Sequence, residues 1–92
     1  MAEQWIEDAQ VVAEEIGWRS LHCNHLEKFR TWRIAFSAKD KANWNIRCNG
    51  EHDYWIVSDK HNWGEPPAKQ GEQGPFDSFL IAATTYQLTR EG

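Results

Sequence analysis

No stretch of this 92-residue chain stays apolar for the roughly 18 residues that a membrane-crossing helix needs. The opening Met1-Ala2-Glu3-Gln4 also lacks the basic start and apolar core of an export signal. Both absences lead us to expect a cytoplasmic protein without a membrane partner. Cysteine is scarce: Cys23 and Cys48 are the whole supply, and in a reducing compartment two thiols are expected to stay unpaired. No nucleophile elbow, phosphate-binding glycine loop or paired-carboxylate motif stands in the sequence, so we expect no enzyme and no cofactor. No internal repeat is visible, and residues 1–18 contain no lysine or arginine at all.

What is present suits one small domain. A hydrophobic content of 40% against 26% charge is that of a globular chain rather than a disordered one, and the length leaves room for a single core. Aromatic residues are prominent, with six tryptophans: Trp5, Trp18, Trp32, Trp44, Trp55 and Trp63. Indole is rarely buried completely and recurs among the residues that dominate binding energy at interfaces, so this abundance points to binding. The net charge of −4 is unevenly laid out. Glu3, Glu7, Asp8, Glu14 and Glu15 open the chain; Arg19, Lys28, Arg30, Arg33, Lys39, Lys41 and Arg47 follow, against Glu27 and Asp40. Segregated charge of this kind steers association.

Trp5, Ile6, Ala9, Val12, Ala13 and Ile16 recur at helical spacing, which predicts an amphipathic helix over 3–16 ended by Gly17. Glu3, Glu7, Gln10 and Glu14 fall on its far side as an acidic strip, and Trp18 is expected to seal the helix end. Arg19 to Lys28 shows little pattern and reads as a connector. Alternation then predicts strands over about 30–37, 43–48 and 53–58, with Ala38 to Ala42 as a polar turn. A loop at Asn49–His52 would set Ile46 opposite Trp55 and Trp44 opposite Val57, the apolar pairing. That register sends Trp55 and Val57 into the core and turns Tyr54 and Ile56 outward. Residues 59–75 carry a Pro-Pro pair and three glycines without periodicity and read as a long loop. Asp77 or Ser78 then caps a helix over about 78–88, with Phe79, Leu80, Ala83 and Tyr86 or Gln87 as its stripe. The β-prone Thr84, Thr85 and Tyr86 leave a fourth strand over 79–88 as the alternative. The expected fold class is therefore α+β: a three-stranded antiparallel sheet packed by an N-terminal helix, with a C-terminal helix.

Three sets of residues are candidates for function. The acidic strip of Glu3, Glu7 and Glu14 suits a basic partner. Arg33, Arg47 and Asn45 beside Tyr54 on the outward sheet face would give cations next to an aromatic platform, as single-strand nucleic-acid binders use, although the negative net charge opposes phosphate affinity. Trp63, between Asn62 and Gly64 in polar sequence, is either a contact residue or a lid over the outward face. His22, Cys23, His25, Cys48, His52 and His61 are of zinc-ligand type, but their spacing is not that of a zinc finger, so no metal is expected and a small zinc-binding adaptor is a minor alternative.

In overall format, short, acidic, aromatic and without a catalytic motif, the chain resembles the small phage proteins that block host defence, such as anti-CRISPR proteins. The resemblance carries no residue motif. It implies a non-enzymatic inhibitor that occludes a basic surface of a larger host protein or ribonucleoprotein complex, with direct nucleic-acid contact as the alternative.

Overall fold

The computed structural model describes residues 4–37, 44–50, 52–67 and 72–91. Helix α1 (Gln4–Glu15) leads into five strands, β1 (Ser20–Leu26), β2 (Thr31–Ser37), β3 (Trp44–Cys48), β4 (Tyr54–Ser58) and β5 (Gln73–Phe76). Helix α2 (Phe79–Tyr86) follows, and its last turn widens into a π-helical segment, Gln87–Glu91. The fold is α+β with an antiparallel sheet and a helix at each end, but the sheet has five strands in chain order rather than three. The turn anticipated at Ala38 to Ala42 lies outside the described residues.

The two additional strands are edge strands. β1 occupies the stretch read as a connector. Its half-buried Leu21 and Cys23 face Phe36 and Ile34 of β2, whereas Ser20, His22, Asn24 and also His25, opposite Trp32, are exposed. A half-exposed edge strand needs little apolar sequence, so its alternation is faint. β5 lies inside the segment read as a loop, pairs Tyr54 with Phe76 and Ile56 with Gln73, and carries a bulge between those pairs. Gly74 and Pro75 occupy the bulge, a position that an edge strand allows them.

The β3–β4 register also differs from the expected one. Ile46 faces Ile56, Arg47 faces Trp55, and Asn45 faces Val57, so the turn spans residues 49–53 with Asp53 in a left-handed conformation, φ 56. A shift of one residue exchanges the faces of a strand. Tyr54 and Ile56 therefore enter the helix-covered core, where Tyr54 is 3% exposed and its hydroxyl donates to the Gly50 carbonyl at 3.0 Å. Val57 lies on the opposite face and is buried there too, while Trp55 on that face is half-buried.

The main core fills the space between the sheet and the helices. α1 contributes Trp5, Ala9 and Ala13, and α2 contributes Phe79, Ala82, Ala83 and Tyr86. α1 ends in a Schellman motif: Gly17, at φ +87, donates to Glu14 O at 3.2 Å, and Trp18 donates to Ala13 O at 2.8 Å. This turn sets Trp18 flat on Phe36, ring centroids 4.1 Å apart, and edge-on to Phe79 and Tyr86. Ser78 is the cap of α2, its Oγ accepting from Ile81 N at 3.2 Å. The stripe foreseen for this helix is rotated: Ala82 is buried and Leu80 is exposed. Gln87 Nε2 donates to the Ile16 carbonyl at 3.1 Å and so ties the end of α2 to the end of α1.

Candidate functional site

The two faces of the sheet are built differently. One is sealed by helices. Across the other, Arg33, Arg47 and Trp55 form one cross-strand row and Ala35, Asn45 and Val57 the next. The chain beyond β4 folds back over this face, held by a buried polar chain. The Arg47 guanidinium, which can only donate, bonds His61 Nε2 at 2.7 Å and the Glu65 carbonyl at 2.8 Å. His61 Nε2 is thus the acceptor and Nδ1 carries the ring proton, which it donates to Glu72 Oε2 at 2.8 Å. The His61 and Glu72 side chains are only 2% and 3% exposed. Trp63 completes the arrangement, its ring edge-on to His61 at 5.0 Å and 5.5 Å from the Arg47 guanidinium carbon, within cation–π range. Burial lowers the pKa of Arg47, and the charge of Glu72 offsets part of that effect.

Trp63 is therefore half-buried against Arg47 and His61 and acts as a lid, although the face it covers is that of Arg47, not that of Tyr54 and Ile56. The single-strand platform of Arg33, Arg47, Asn45 and Tyr54 does not assemble. Tyr54 is in the core, Asn45 is buried and accepts from Arg33 Nε at 3.3 Å, and Arg47 is engaged under the lid. Arg33 alone of the four is exposed. Beside the lid an open cleft of about 330 Å³ is lined by Arg47, Asn49, Asp53, Trp55 and the rings of Pro66, Pro67 and Pro75.

The acidic strip is on the solvent side of α1. Glu7, Asp8, Glu14 and Glu15 are all exposed, with Val11 exposed among them, and the described helix carries no cation; Glu3 lies outside the described residues. Gln4 Nε2 donates to Asp8 Oδ1 at 3.1 Å along this surface.

The groups with the best credentials for catalysis are occupied. His61 and Glu72 have the imidazole–carboxylate contact of a general base, but the nitrogen that would take a proton already accepts from Arg47. Burial pushes the Cys23 thiol up to about 11 and the Cys48 thiol up to about 12, far from a reactive thiolate. The zinc-type residues are scattered as well: Cys23 and Cys48 lie on the helix side of the sheet and His61 on the other. Among the described residues no group of three or more His, Cys, Asp or Glu is placed to hold a metal ion.

His61 and Glu72 were not legible as a pair. The histidine stood out only as a ligand type, and the glutamate sits in aperiodic Gly- and Pro-rich sequence that offers no signal. Fold and surfaces together define a small α+β domain with one helix-covered and one loop-covered sheet face. No protein-family model, no curated protein and no solved structure matches this chain.

Proposed function

We propose that this chain is a non-enzymatic protein-binding module that uses the outer face of α1 to occupy a basic surface of a nucleic-acid-handling protein or complex, in the manner of an occluding inhibitor. The observation that carries this reading is the run of exposed carboxylates Glu7, Asp8, Glu14 and Glu15 around the exposed Val11, on a helix without a cation. Nothing within the helix rewards Glu14 and Glu15, because acids near a helix C-terminus oppose its dipole. A basic partner would reward them. Each exposed ion pair is worth only about 0.2–1 kcal/mol, so a row of them acts mainly on encounter rate and on the choice of partner.

The test is a paired charge reversal, Glu7→Lys with Glu14→Lys, with tagged wild type and variant used to recover partners from nuclease-treated lysate of the natural host. A protein complex retained by the wild type, released as salt rises and lost by the variant is the expected result. The variant should keep the wild-type circular dichroism, since both side chains are exposed. Recovery unaffected by the reversal, or dependent on intact nucleic acid and on Arg33, overturns the reading.

A further inference from the structure

Where α1 passes the start of α2, the two helices leave an open cleft of about 220 Å³. Its aromatic residues, Trp5, Tyr54 and Phe79, are otherwise buried, and the aliphatic chains of Val12 and Leu80 line it with them. Leu80 is 52% exposed. Among the described residues one charged group lines the cleft, the carboxylate of Asp8, and no lysine or arginine does. Asp8 Oδ1 accepts from Gln4 Nε2 at 3.1 Å, and Oδ2 has no partner among the described residues. Residues 8, 12 and 15 follow one ridge of α1, so Val12 stands between Asp8 and Glu15, both exposed. Glu7 and Glu14 lie further round the helix and do not line the cleft.

We infer that this cleft receives an arginine side chain of the basic partner, with its guanidinium on Asp8 and its alkyl stem along Val12, Phe79 and Leu80. The inference rests on the reading of α1 as the surface that meets such a partner, and it names the side chain that anchors the contact. Size is the first argument. Small-molecule sites span roughly 300–1,000 Å³, so a cleft below that range suits one inserted side chain rather than a whole cofactor.

Charge complementarity is the second. An aliphatic anchor would strip water from the Asp8 carboxylate and return no hydrogen bond, and an anion would meet a like charge. Asp77 stands exposed at the N-terminal end of α2, and its charge offsets the positive dipole of that end, which would otherwise disfavour a cation beside it. The apolar walls then choose between the two basic side chains. An ammonium is a compact, strongly hydrated point charge. A guanidinium is planar and more weakly hydrated, so it can lie against apolar walls while its fork meets both carboxylate oxygens, Oδ1 keeping a second lone pair beside the Gln4 bond. Arginine is also among the residues that most often anchor protein interfaces.

The full chain, titrated with N-acetylarginine methylamide to roughly 100 mM in about 0.15 M salt and followed by amide NMR spectra, tests the inference. The lysine and leucine analogues serve as controls. Saturable shifts at Asp8, Val12, Phe79 and Leu80 are expected, with a Kd on the order of 10 mM, as a single side chain allows, and roughly threefold or more tighter than either control. Asp8→Asn keeps an acceptor for Gln4 and removes the charge, so it should weaken arginine binding roughly fivefold or more. The site is exposed, and unchanged circular dichroism will verify the fold. Absence of saturable shifts at the cleft overturns the inference. So does a lysine or leucine probe that binds as tightly, or arginine binding that Asp8→Asn leaves intact. The measurement uses no partner, so the cleft can fail while reversal of Glu7 and Glu14 still releases a partner, and the two results are distinguishable.

Discussion

Replacing Glu72 tests how the second face of the sheet is held shut. Its carboxylate is 3% exposed and accepts the Nδ1 proton of His61, itself 2% exposed, at 2.8 Å. Glu72→Ala strands that N–H in a buried position, a penalty of about 1–3 kcal/mol. Arg47 also loses a carboxylate that favours its charged form, but its guanidinium is partly open to solvent, so this second effect is screened to a few tenths of a kcal/mol. The sum is about 2 kcal/mol. Glu72→Gln retains an oxygen acceptor and forfeits only the charge assistance, so about half that loss is expected. Urea denaturation followed by tryptophan fluorescence reads both variants, and comparison with a Trp63→Phe control isolates the contribution of Trp63, which packs on His61 and Arg47, from that of the other five indoles. A double-mutant cycle supplies the control: in a His61→Ala background, Glu72→Ala should cost at least 1 kcal/mol less than in the wild type, because the proton it served is gone. Losses below about 0.5 kcal/mol for Glu72→Ala, the range of an ordinary surface substitution, would refute the reasoning. Strict additivity in the cycle would refute it equally.

Gly74→Ala should be more damaging than its edge position suggests. At φ +151, a Cβ there would lie 2.6 Å from the Trp55 ring and 2.8 Å from the Tyr54 carbonyl oxygen; about 2–3 kcal/mol of strain, and a Tm lower by roughly 10 °C, are expected in a thermal melt. The thiols predict an alkaline weakness. Burial raises Cys23 to about 11 and Cys48 to about 12 from the ordinary 9.0, so their protonated forms support the fold fully below pH 9. As pH rises from 9 toward 12 the unfolded chain ionises first, and that stability is lost. Alkylation of the native protein by iodoacetamide should accordingly stay slow through pH 9, and fast modification of Cys48 at pH 8 would contradict its burial.

The parts of the fold that could be read from sequence are those where a single face is buried. Trp5, Ala9 and Ala13 mark α1 by period, Gly17 marks its end, and Ser78 marks the start of α2, because each position has one physical demand. β4 resists the same reading. With Tyr54 and Ile56 buried on one side and Val57 on the other, apolar matching does not distinguish the faces, and the turn at residues 49–53 decides the register instead. β5 is hidden for another reason: a strand held by backbone bonds around a bulge at Gly74 needs no apolar pattern. The polar chain under the lid joins residues 47, 61 and 72 from separate elements, and such contacts come from tertiary geometry rather than local spacing. On α1 the acidic strip was legible, because exposure on an amphipathic helix follows from period alone.

The sheet's strand order has a kinetic side. Each strand pairs with the next one along the chain, so the pairings from β1 to β4 close short loops at small entropic expense, and only β5 closes the long segment that follows Ser58. The helices are arranged differently. α1 and α2 meet across almost the full chain, and the bond from Gln87 to Ile16 spans 71 residues. Strands β1 to β4 can zip hairpin by hairpin, with Trp18 and Phe36 exposed until α2 arrives to cover them. Docking of the last helix is then the step that separates a paired sheet from a finished core, and changes in α2 should slow folding less than they hasten unfolding.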